Sequence, residues 1–124
     1  MILFDTDVLI EHLKGNPAAR RLLEEAVRSG RAACSVLTRF ELLAGMRSSE
    51  RHLVRSLLAC LRTLPVTAEI ADQAGEWARK YRRSHSQVGA IDYLIAATAQ
   101  AAGADLLTLN VGHFPMFPAL RPAL

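Results

Sequence analysis

Three carboxylates stand where carboxylates are uncommon. Asp5 ends the apolar run Ile2-Leu3-Phe4, Glu41 lies among Phe40, Leu42 and Leu43, and Asp92 sits between Ile91 and Tyr93. Acidic side chains seldom interrupt apolar runs, because burying a charge is costly unless something compensates it. If a fold gathered these three within ~5 Å, each pair would repel by roughly 3 kcal/mol at an effective dielectric of 20, a heavy load for a domain of ordinary stability. A hard divalent cation offsets that repulsion directly. Carboxylate oxygens with water select Mg²⁺ or Mn²⁺, and the chain lacks the Cys/His sets that zinc would want. Each acid also has a plainer reading. Asp5, Thr6 or Asp7 could cap the helix that follows, Asp92 could cap its own helix, and Glu41 could pair with Arg39.

The elements that must position these acids can be read from periodicity. Ile2 to Phe4 has the look of a strand buried on both faces, with Asp5 just beyond its end, where ligands bind in an open α/β sheet. Val8 to Lys14 reads as a short helix closed by Gly15, and Asn16-Pro17 opens a second helix that Gly30 ends. Arg31 to Ser35 predicts a strand, and Val36 to Met46 a helix carrying Glu41. Ser48 or Ser49 starts another helix, with Leu53, Leu57, Leu58 and Leu61 on one face and a break at Pro65. Leu64 to Val66 is a short strand, and Thr67 caps a long helix through Trp77 and Tyr81. Ser84 to Gly89 predicts an exposed, mobile linker. Ala90 to Ala102 is a helix with Asp92 in its first turn, and Leu106 to Leu109 a strand stopping at Asn110. The proline-containing tail predicts loop with at most one short edge strand. Strands alternating with helices imply an α/β class, a central parallel sheet flanked by helices on both faces, in one domain spanning 1–124.

Composition sets wider bounds. A chain of 124 residues can bury about two-thirds of its unfolded surface without disulfide or structural metal. Cys34 and Cys60 lie in apolar surroundings without CxxC spacing, which points to buried thiols in a reducing, cytoplasmic setting. Neither a basic leader nor an apolar stretch near the ~20 residues of a membrane span is visible, so no membrane partner is expected. The formal charge of +3 is carried almost wholly by arginine, a good donor to phosphate, which permits nucleic acid as a partner.

The segments FDTDVLI at the start, SVLTRFELLAG around Glu41, AIDYLIAATA around Asp92 and LLTLNVGHF near the end occur together in order. In that order and spacing they resemble a PIN-domain ribonuclease, specifically a VapC-type toxin of a toxin-antitoxin pair, over essentially the whole chain. The resemblance implies a PIN fold, Mg²⁺- or Mn²⁺-dependent endonucleolytic cleavage of RNA, a homodimer, and inhibition by a small cognate VapB-type antitoxin. It further implies Asp5, Glu41 and Asp92 as the acidic metal ligands. Asn110 stands where many members have a fourth acid, so one firmly held metal is expected, and His113 lies in the HF pair just beyond. Water activated by the metal would be the nucleophile, with Glu41 as ligand or holder of a bound water. Thr6 and Thr108 offer hydroxyls beside these groups, and Arg82 and Arg83 are candidates for gripping the RNA backbone. Asp7 is assigned to the helix N-terminus rather than to metal.

Three other classes compete. A metal-free ribonuclease would work through histidines, but His12, His52, His85 and His113 are scattered without paired spacing. A phosphoacceptor signalling domain would also gather carboxylates and Mg²⁺, and would want a lysine near its last strand. An inactive binding module of the same fold is the third.

Overall fold

Leu3 and Phe4 are both fully buried yet belong to different hydrophobic clusters, as successive residues of a strand covered on both faces must. They form β1 (Ile2–Phe4) in a computed structural model that describes residues 1–124. The chain continues through α1 (Thr6–Leu13), α2 (Pro17–Arg28), β2 (Ala32–Ser35) and α3 (Val36–Gly45). A 3₁₀ turn at Ser48–Glu50 leads into α4 (Arg51–Ala59), β3 (Arg62–Leu64), α5 (Ala68–Tyr81) and α6 (Ala90–Ala102). The last elements are β4 (Asp105–Leu107) and a second 3₁₀ turn at Val111–His113. The four strands are all parallel, in the order β3-β2-β1-β4, with Leu3 opposite both Ala33 and Leu106.

Phe4, Ala32 and Cys34 face one side of the sheet, where they pack with Val8 and Leu9 of α1, Leu23 of α2, Leu42 of α3 and Leu57 of α4. Leu3, Ala33 and Leu106 face the other, against Ile95, Ala96 and Ala99 of α6 and Phe114 of the tail. Helix α5 packs on α6 through Ile70, Ala74, Tyr93 and Ala97. The alanine-rich face of α6 lets these backbones approach closely. Helix ends follow local chemistry: the Asn16 side chain accepts from the amides of Ala18 and Ala19, Ser35 from Leu37 and Thr67 from Ile70. Gly103 closes α6 at φ 61°, a left-handed conformation that a β-carbon would disfavour.

Several boundaries differ from the sequence expectation. Helix α1 begins at Thr6, two residues before Val8, because Asp5 itself is the cap. Helix α4 ends at Ala59, so the buried Leu61 lies beyond it rather than on its face. Strand β3 spans Arg62–Leu64, not Leu64–Val66: its residues pair with Ala33, Cys34 and Ser35, and Pro65 has no N–H to continue the pairing. Strand β4 stops at Leu107 because the next groups bond elsewhere. Thr108 gives its carbonyl to the amide of Ala123, and the amide of Leu109 turns to Asp7. The segment 84–89 is not uniformly exposed. Val88 is buried against the α5–α6 pair, and its amide donates to the His85 carbonyl. Of the two thiols expected to be buried, Cys34 is, but Cys60 is exposed just past the end of α4, and the tail contains no strand.

Candidate active site

From β1 the chain builds outward through β2 and β3, then returns to place β4 on the opposite side of β1. The crevice beyond the carboxyl ends of β1 and β4 is therefore the topological switch point, the place where open parallel sheets present ligand sites. Asp5 is the first residue past β1, and Thr108 the first past β4. Asp5 is only 6% exposed, and both its oxygens are occupied by the protein. Oδ1 accepts from the Thr6 amide at 2.8 Å, capping α1, and Oδ2 accepts from the Thr108 hydroxyl at 2.8 Å. Capping and site geometry are thus one arrangement.

Glu41 enters from α3. It does not pair with Arg39, whose guanidinium lies 3.4 Å from the Thr63 hydroxyl; instead Thr6 donates its hydroxyl to Glu41 Oε1 at 2.6 Å. Asp92 enters from the first turn of α6, where Oδ2 accepts from the Gly89 amide at 3.0 Å and lies 3.3 Å from His113 Nδ1. Phe114, 1% exposed in the core, anchors the turn that holds His113 there.

Asp7 is expected from its sequence position to serve the N-terminus of α1. It does lie in the first turn of α1, but its Oδ2 accepts from the Leu109 amide at 3.0 Å and sits 3.3 Å from the Thr108 hydroxyl, while Oδ1 is buried with no hydrogen-bond partner. The only signal available beforehand was its spacing of two from Asp5. That signal is weak, since its partners are a hundred residues away in the chain.

Asp5, Asp7, Glu41 and Asp92 line one cleft of 340 Å³, together with Thr6, Asn110 and His113, and three isoleucines form its apolar wall. No lysine or arginine lines it. Arg82 and Arg83 are exposed at the end of α5 and do not reach it, and Thr108 lies beneath it, bonded to Asp5. A larger cavity of 560 Å³ lies between α1, α2 and α4. It gathers no set of carboxylates, so convergence of charge rather than size marks the site.

A hard divalent cation suits this donor set: four carboxylates, no competing cation, and one buried oxygen without a donor. The side chains as they stand do not close into a ready-made coordination cluster of three or more ligands. Their oxygens are held by Thr6, Thr108, Gly89 and His113 instead. An ion that keeps several of its waters, as Mg²⁺ does, needs no fully preformed cage.

Burial pushes the Asp5 carboxyl up to about 6, and the charge of Asp7 adds to this; bonds from Thr108 and the Thr6 amide pull the other way, and Asp92 raises it slightly more. A folded-state value raised above the ordinary 3.8 means that the stability associated with protonated Asp5 is full below that pH and is lost as pH rises through about 6. The loss amounts to about 3 kcal/mol at most, from ~1.4 kcal/mol per unit. In chelator, Asp5→Asn should therefore gain stability over wild type as pH rises from 4 to 7, read by urea unfolding. A difference that stays flat across that window would remove the strain assigned to Asp5.

The family model described as PIN domain matches residues 2–114. The chain is 53% identical over 122 residues to Ribonuclease VapC10 of Mycobacterium tuberculosis, covering 98% of this chain and 92% of the relative. It is 50% identical over 123 residues to Ribonuclease VapC19 of the same organism, covering 98% of each. Among solved structures, a DNA-bound VapBC from Salmonella typhimurium matches with a TM-score of 0.81 and 25% identity, over 98% of this chain and 97% of that one.

Proposed function

The chain belongs to the PIN-domain family, and from that premise we propose that it is an Mg²⁺- or Mn²⁺-dependent endoribonuclease, the toxin of a VapBC-type pair. The observation that carries this reading is the convergence of Asp5, Glu41 and Asp92 on one cation-free cleft at the switch point of the sheet. When bound there, a divalent ion supplies positive charge to phosphate oxygens and makes water a competent nucleophile near neutral pH.

Asp5 and Asp92 would hold the ion from β1 and α6, with Glu41 as a further ligand or the acceptor that orients water. Thr6 fixes Glu41 through its hydroxyl, and Thr108 fixes Asp5. His113 braces Asp92, and Asn110 stands exposed on the rim. Arg82 and Arg83 make no ion pairs and are available to RNA that extends beyond the cleft.

The partners in this reading are RNA, a cognate VapB-type antitoxin and a second copy of the chain. Four carboxylates without a cation form a natural receptor for an inserted arginine or lysine, which would compete with the metal. No helix is long and apolar enough to cross a membrane. The rival classes find less support. Of the four histidines only His113 lines the cleft, which leaves no acid–base pair, and the lysine a phosphoacceptor would need is absent from it.

The test is incubation of purified, antitoxin-free protein with a mixed RNA pool and Mn²⁺, with and without chelator. Cleavage should require the metal and leave 5′-phosphate and 3′-hydroxyl ends, since water rather than the 2′-hydroxyl attacks. Cyclic 2′,3′-phosphate ends by mass analysis, or cleavage in chelator, would turn the assignment toward histidine chemistry.

A further inference from the structure

We propose that Asp7 is the fourth carboxylate of the cation site, supplied from the first turn of α1 in place of an acid at Asn110; this rests on the metal-dependent reading of the same cleft. Asn110 lines the cleft but brings no charge, so the site would otherwise hold only Asp5, Glu41 and Asp92. Asp7 lines the same space.

Its placement is specific. The Leu109 amide donates to Oδ2 at 3.0 Å, and the Thr108 hydroxyl, which serves Asp5 at 2.8 Å, lies 3.3 Å from that same Oδ2. One oxygen is therefore tied down by the segment that continues β4, beside the hydroxyl that also serves Asp5. The other, Oδ1, is buried and receives no hydrogen bond from any protein donor. A buried carboxylate oxygen without a donor is unfavourable, and native structures rarely keep one without a reason. A residue serving only the helix N-terminus would have turned its oxygens to the free amides of the first turn of α1. Asp7 instead reaches across to the Leu109 amide just past β4, while the cap of α1 is supplied by Asp5, which accepts from the Thr6 amide. A cation, or water held by one, satisfies Oδ1 and restores the charge that Asn110 lacks.

Asp7→Asn is the informative change, because its amide oxygen can still accept from Leu109 while the negative charge disappears. Mn²⁺ is titrated into RNA-free wild type and variant by calorimetry, with urea unfolding in chelator as the check on folding. Loss of one of few charged groups should weaken Mn²⁺ binding by about tenfold or more, with the metal-free fold as stable as before or more so. Adding Asn110→Asp to Asp7→Asn should recover binding, since position 110 faces the same cleft. A variant that takes up Mn²⁺ as wild type does overturns the role of Asp7 alone. Wild type that takes up no Mn²⁺, with or without RNA, overturns the metal reading beneath it.

Discussion

Asp5→Asn and Asp92→Asn are each expected to reduce Mn²⁺-dependent RNA cleavage by about three orders of magnitude or more. An ion placed on a phosphoryl oxygen is worth several kcal/mol of barrier, and ~1.4 kcal/mol is a factor of ten, so losing a ligand removes most of the rate. Neither change should unfold the protein. In Asp92→Asn the amide oxygen still accepts from the Gly89 amide and keeps the cap of α6. In Asp5→Asn the oxygen caps Thr6, the new NH₂ meets the Thr108 hydroxyl, and that hydroxyl can rotate to give its proton to Asp7, 3.3 Å away. Relief of burial and of repulsion by Asp7 should make metal-free Asp5→Asn the more stable protein near neutral pH. The pairing of lost cleavage with retained or improved folding is the diagnostic result. Cleavage within tenfold of wild type in either variant would dissociate the carboxylates from the chemistry.

The positions of the acids were legible because charge broke a hydrophobic pattern. Ile2 to Phe4 could only be a buried strand, so Asp5 had to stand at its end, and the helical spacing around Glu41 and Asp92 put each on an identifiable helix. Two readings that looked like alternatives coexist in the fold. Asp5 caps α1 with one oxygen and meets Thr108 with the other, while Asp92 caps α6 and touches His113 with the same oxygen. The Arg39–Glu41 pair failed because Thr6, from another helix, takes the carboxylate first. Asp7 shows the same limit: its first-turn position is local information and is legible, but its bonds to Leu109 and Thr108 arise only once β4 is laid beside β1. Strand ends behaved alike. Pairing partners, not the three or four residues of a short strand, decided where β3 and β4 begin and stop.

Thr108→Val should cost about 2–3 kcal/mol of stability at pH 8, the value of a buried hydrogen bond to a charged group. The side chain is completely buried, and valine reproduces its shape, so packing is nearly conserved. What disappears is the hydroxyl that donates to Asp5 Oδ2 at 2.8 Å and accepts from the Asn110 amide at 3.1 Å. The bond to Asp5 is one of the two that hold its carboxyl down against burial, so without it the value climbs further above about 6. A group raised in this way destabilises the fold only where it is ionised. The penalty should therefore be large at pH 8 and shrink as pH falls below 6, where folded Asp5 carries its proton. Thr108→Ser separates the causes, because it keeps the hydroxyl and loses one methyl, at about 1 kcal/mol with little pH dependence. Urea unfolding in chelator at pH 8 and pH 4.5 reads both variants. Equal penalties for Thr108→Val at the two pH values would mean that Thr108 serves the core alone, and that the poise of Asp5 is set by burial without its help.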